Sequence, residues 1–248
     1  MNEDEKELFK YLHPPADVYN INHDQNYILA KKSNGKKIRN IFYNVTLTDQ
    51  EEQEINQFED FLKQQNINLP IKWERITSLK YLYVQDFNYK KSFETIKNHI
   101  QWLNNQQIQN PQQQIIDKYL NAGFIYTFGR DNQYRPIVII NADKLKALKA
   151  GKQEMVNIIA ALCKILNTVN KYMFVKGKVE NWIIIIETNG QGLFDLDFNA
   201  LVQLINCMTT NYVCILHRLI ITNPSWIFRQ GWQLVSVMLQ KFYFELLI

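Results

Sequence analysis

The chain has 248 residues, 46% of them hydrophobic and 21% charged, with a formal net charge of +4. That length permits one large domain with its own core, or a core domain with an N-terminal addition, and the composition is that of an ordinary globular protein. The slight positive charge does not argue for nucleic acid, no zinc-finger, RNA-binding or helix-turn-helix signature supports it, and no such partner is expected.

Three cysteines, Cys163, Cys207 and Cys214, are odd in number and fit no zinc spacing, so they read as buried thiols in a reducing compartment. Met1 to Glu7 has neither a basic n-region nor an apolar h-region, and its acidity argues against a mitochondrial transit peptide. No uncharged apolar run reaches about 18 residues, so no membrane span is expected. The expected location is cytoplasmic, at a membrane periphery or within a large intracellular assembly.

Residues 1–47 read as an N-terminal extension. Pro14-Pro15 breaks any early helix, and Ser33-Asn34-Gly35-Lys36 is a turn signal between Tyr27-Ile28-Leu29 and Ile38–Tyr43, which predicts a small hairpin. Its tip carries Lys31, Lys32, Lys36, Lys37 and Arg39. These are the candidate contacts to an anionic membrane surface, each worth about 1 kcal/mol there. The competing reading is a solvated turn.

Thr48-Asp49-Gln50-Glu51 is a capping box that opens a helix with Ile55, Phe58, Phe61 and Leu62 on one face. A second helix is expected from Trp73 to Gln85. A third starts at Asn88 as N-cap, with Phe93, Ile96, Ile100 and Leu103 on its stripe. Residues 48–110 therefore read as a helical subdomain, closed by a polar linker from Asn104 to Gln114. The period then changes, and 111–248 reads as an α/β domain. Phe124–Phe128 and Ile137–Ile140 predict two strands, with Pro136 confined to a strand start or edge. A long amphipathic helix carries Met155, Ile158, Leu162, Leu166 and Val169. Trp182–Glu187, a helix around Leu201 and Ile205, and Leu219–Thr222 form a βαβ unit with strands buried on both faces. A last buried helix is expected from Ser225. The fold class is α/β: a helical N-terminal subdomain, then a largely parallel, mixed sheet flanked by helices.

No constellation for catalysis is visible. Gly190-Gln191-Gly192 lacks a following Lys-Ser/Thr, and His13, His23, His99 and His217 share no metal-ligand spacing. Asp195 and Asp197 flank a helix start and read as capping residues. No metal or cofactor is expected.

The order of four short blocks resembles the CRAL-TRIO lipid-binding domain family over residues 48–248. Leu79–Leu82, Asp86-Phe87-Asn88 and Ser92 to Trp102 are similar to its N-terminal helical block. Gly129–Val138 is similar to its "GRD..GRPV" hairpin, Ile185–Gly190 to its "IID..G" strand end, and Tyr212–Phe228 to its "INAPWIF" stretch. The resemblance implies a sheet that floors an apolar pocket, a helix that gates it, and one lipid carried or presented without covalent catalysis. It also implies departures. Positions that hold a phosphoinositide headgroup in the transfer-protein branch are Gln85, Asp86, Cys214 and Leu246 here, and those that hold choline are Trp182, Ile184, Thr127 and Val138. A buried phosphate without charge-assisted donors is costly, which disfavours a phospholipid of that type. The family also continues past Leu246 with a strand and helix, so a shortened C-terminus is expected.

The reading is thus a non-enzymatic protein that binds a lipid or other hydrophobic small molecule. Phe124, Tyr126, Ile139, Ile184, Ile186, Ile220, Phe228 and Trp232 are the candidate pocket lining, chosen by alternation along strands. The alternative is a subunit of a larger protein complex that keeps the scaffold with a degenerate pocket.

Overall fold

The computed structural model describes residues 3–31, 35, 37–147, 152–189, 198–224 and 245–247. The N-terminal extension contains α1 (Glu3–Leu12), a 3-10 turn (Ala16–Asn20) and α2 (Gln25–Ile28). An antiparallel hairpin follows, made of β1 (Leu29–Lys31) and β2 (Lys37–Arg39). Lys31 and Lys37 face each other across it and are exposed. Arg39 departs from the expected basic tip. It turns inward and is 3% exposed, donating from Nε and Nη2 to the two Glu51 oxygens at 2.6 and 2.5 Å. A guanidinium fork matches a carboxylate in this geometry, and the pair removes Arg39 from any surface contact. Lys32 and Lys36 lie outside the described residues.

Three helices follow: α3 (Asp49–Gln64), α4 (Arg75–Val84) and α5 (Tyr89–Leu103). Thr48 Oγ1 accepts from the Glu51 amide, and the Glu51 carboxylate accepts from the Thr48 amide at 2.8 Å, so the capping box forms. Thr48→Ala is expected to cost about 1 kcal/mol, read as a lower urea midpoint at unchanged slope. Asn88 caps α5 through Lys91 N at 3.0 Å. Ile55, Phe58, Leu62, Leu79, Leu82 and Ile96 close a first hydrophobic core, which also takes in Phe42 and Val213.

The segment expected as a polar linker holds α6 (Gln106–Gln109) and the start of α7 (Gln113–Asn121). Asn105 caps α6 by accepting from Gln107 N, and Ile116 and Tyr119 of α7 are buried in the second core. Tertiary packing of a short apolar stripe outweighs the polar composition here.

The second core is built on a five-stranded sheet in the order β3 (Ile125–Arg130), β4 (Pro136–Asn141), β5 (Trp182–Glu187), β6 (Leu216–Thr222) and β7 (Glu245–Leu247). Only the β3–β4 hairpin is antiparallel, and Pro136 sits at the start of its strand as the missing donor requires. Helices α8 (Ala142–Ala147) and α9 (Lys152–Tyr172) connect β4 to β5, and α10 (Phe198–Asn211) connects β5 to β6 in parallel. The last helix expected from Ser225 lies outside the described residues as far as 244, and Glu245–Leu247 pairs with Arg218–Ile220 as a strand.

The Arg130 and Asp131 pair of the hairpin is structural. Arg130 donates to the carbonyls of Tyr134, Met173 and Leu12 at 2.8 to 3.0 Å, tying three segments together. Asp131 Oδ1 accepts from the amides of Gln133 and Arg135 at 2.9 and 2.8 Å and so shapes the turn. Across the molecule, the buried Glu180 carboxylate accepts from the amides of Phe42, Tyr43 and Gly177 at 2.8 to 3.0 Å. That clamp fixes the N-terminal extension to the entry of β5.

Candidate ligand-binding face

Register across the sheet sorts its side chains into two faces. Ile140, Ile186 and Ile221 fall in one row with Ile125, and Val138, Ile184 and Leu219 in another. All seven are buried, in the core that also contains Leu162 and Leu166 of α9 and Leu204 and Met208 of α10. The intervening row is Tyr126, Ile139, Ile185 and Ile220. These four are half-buried or exposed, with Tyr126 at 38%. Adjacent strands are about 4.8 Å apart, so the row spans about 14 Å. Ile137 and Ile183 extend the apolar field by one pleat on the same face, next to Arg218.

The carboxyl ends of β4, β5 and β6 place Asn141, Glu187 and Thr222 in one polar row on that face. Glu187 accepts from Thr222 Oγ1 at 2.6 Å, from Asn189 N at 2.7 Å and from Asn223 Nδ2 at 3.0 Å. Burial pushes its carboxyl up, and these hydrogen bonds outweigh burial to hold it below the usual carboxylate range. The face is therefore an apolar field with an ionised lip at one end.

The structure distributes the sequence-derived candidates unequally. Tyr126, Ile139 and Ile220 stand together on the half-buried face. Ile184 and Ile186 point to the other side and are fully buried under the helices, as is Phe124 just before β3. Ile185, which is not among those candidates, completes the row. Phe228 and Trp232 lie outside the described residues. Trp182, Ile184 and Val138, aligned by resemblance with a choline site, belong to the helix-packed core. Gln85 donates to Thr95 Oγ1 at 3.0 Å, and Cys214 Sγ meets the Lys80 carbonyl at 3.4 Å. Asp86 lines a separate cavity of about 270 Å3 with Lys37, Thr48 and Phe87, so an acid stands where the resemblance implies a base. A groove of about 350 Å3 on the helical side, floored by Leu62, Leu69 and Trp73, also lies away from the sheet.

Among the described residues no group of three His, Cys, Asp or Glu is placed to hold a metal ion, and no helix is long and apolar enough to cross a membrane.

Residues 120–242 match the CRAL/TRIO domain. The chain is 24% identical over 179 residues to "Protein real-time" of Anopheles gambiae, an overlap of 66% of this chain and 26% of that protein. It is 23% identical over 182 residues to "Protein real-time" of Aedes aegypti, covering 66% and 27%. The chain thus spans about a quarter of the length of the curated relatives it matches. Among solved structures, that of Sfh5 is similar with a TM-score of 0.56 at 10% identity, over 82% of each chain, which is a likeness of fold.

Proposed function

This chain carries a CRAL/TRIO domain, and from that premise we propose that it binds one hydrophobic ligand, without chemistry, on the half-buried face of its sheet, and carries or presents it. The row Tyr126, Ile139, Ile185 and Ile220 carries this reading. Four apolar side chains abreast on a sheet face that is less buried than its reverse offer on the order of 100 Å2 or more of apolar area, and each 100 Å2 withdrawn from water contributes about 2.5 kcal/mol. The ionised Glu187 at the lip supports an uncharged head, such as an alcohol, over a phosphate, which would meet a like charge there. Exposed Lys31 and Lys37 supply basic contacts to an anionic membrane during loading.

A second reading, a protein-complex subunit built on the same scaffold, is favoured by one observation. Phe128 of the edge strand β3 is 65% exposed and Leu8 of α1 58%, and α1 is tied to that edge by Tyr11 Oη, which donates to the Thr127 carbonyl and accepts from the Gly129 amide. Such an edge suits a protein contact.

Native mass spectrometry of the folded chain after incubation with a total lipid extract separates the two. The expected result is a one-to-one adduct released on denaturation, of a mass matching a neutral, hydroxyl-bearing lipid. Bare protein, with the fold verified by circular dichroism, would remove the carrier reading and leave the scaffold.

A further inference from the structure

We propose that Cys163 and Cys207 close into a reversible disulfide that staples α9 to α10 when the protein meets peroxide. The two sulfurs are 3.8 Å apart, on neighbouring helices and 44 residues apart in sequence. Both residues are buried, at 1% and 8% exposure, and both are free thiols. A disulfide needs about 2.05 Å, so the sulfurs have to close by less than about 2 Å. Two buried thiols need not touch; these do, within one core, with nothing between them.

The surroundings differentiate the partners. The Cys163 S–H, the Asn211 amide at 4.0 Å and the nearby Trp102 indole hold the Cys207 thiol below its ordinary range against the effect of burial. Cys163 is pushed up by its bond to Cys207 and by burial. One sulfur of the touching pair gives up its proton and attacks. Its thiolate takes one oxygen from hydrogen peroxide, the O–O bond breaks, and hydroxide leaves and is neutralised by the released proton. The other sulfur then displaces water from the sulfenic acid, forming the S–S bond. Two thiols lose two protons and two electrons in all, and one peroxide becomes two waters. A thiol-disulfide exchange would reverse the step, slowly, because both sulfurs are enclosed.

Cys214 serves as the internal control. It is half-buried, its thiol is raised to about 12 by burial, and its sulfur meets the Lys80 carbonyl instead of a second sulfur. The staple lies on the helix-packed side of the sheet, opposite the proposed ligand face, so ligand loading and stapling are separable. The experiment treats the full chain with a small excess of hydrogen peroxide, alkylates it under denaturing conditions and maps the peptides by mass spectrometry. The expected result is one alkylatable cysteine, Cys214, and a linked peptide pair that contains Cys163 and Cys207 and is about 2 Da lighter than the sum of the two thiol peptides. The melting midpoint is expected to rise by roughly 5–10 °C and to fall back with dithiothreitol. Cys214→Ser should behave as wild type, whereas Cys163→Ser should form no link. A link through Cys214, unlinked overoxidised cysteines, or three thiols still free would each overturn the proposal. The wild-type map decides alone should a variant fail to fold.

Discussion

Arg39→Ala is expected to cost about 3–5 kcal/mol of stability, the penalty for leaving a buried carboxylate without its ion partner. In the native protein Glu51 receives two bonds from Arg39, one from the Tyr83 hydroxyl at 2.5 Å and one from the Thr48 amide. Burial alone would raise its pKa, and these donors outweigh burial and lower it. A carboxyl depressed in the folded state contributes stability that is complete above its unfolded pKa, about 4.3. That contribution is lost as the pH falls through the lower folded value. The variant removes the strongest donors, so its Glu51 titrates higher and the loss begins at higher pH. Urea unfolding at neutral pH and again in acid checks both statements. The exposed neighbour Lys37→Ala should change stability by no more than about 0.5 kcal/mol. Equal stability of Arg39→Ala and wild type would mean that the hairpin is not anchored by this pair.

Two substitutions on opposite faces of the sheet should separate folding from ligand binding. Ile184 is fully buried beneath the helices, so Ile184→Ala is expected to cost about 2–5 kcal/mol through lost transfer energy and a residual cavity. Tyr126 is 38% exposed on an edge strand, where an aspartate can reach water in the empty protein. Covering that carboxylate with a hydrophobic ligand costs several kcal/mol. Tyr126→Asp should therefore keep its urea midpoint near wild type and lose ligand affinity at least tenfold, or about 1.4 kcal/mol. A fluorescent lipid displacement assay beside urea unfolding reads both. Unchanged affinity in a folded Tyr126→Asp protein would exclude the half-buried face as the ligand site.

Periodicity and caps made much of this architecture legible. Thr48 and Asn88 fall at the N-caps expected of them, and the β-branched runs at 137–140, 182–187 and 219–222 are strands in a largely parallel sheet. What the sequence hid follows from specific physics. Ile183-Ile184-Ile185-Ile186 has no alternation, so nothing local says which residue faces the helices. Only the pairing with Tyr126 and Ile139 on one side and Ile220 on the other settles it. Arg39 reads as one more cation in a basic cluster, because its partner Glu51 is already spoken for as a capping-box residue. Helices α6 and α7 sit in an Asn- and Gln-rich stretch whose few apolar residues form too short a stripe to register without their partner α9.

Val213 has a consequence for the order in which the molecule can be completed. The core formed by α3, α4 and α5 includes this residue from just before β6, with Cys214 packed beside it, together with Phe42, whose amide is held by Glu180. A ribosome that has finished α5 at Leu103 must add about a hundred more residues, on the order of 5–20 s of synthesis, before that core can seal. During that interval the helices present unsealed apolar surface to the cell. A nascent chain stalled after Leu103 should therefore bind chaperones and be digested readily by protease, and one released past Val213 should resist.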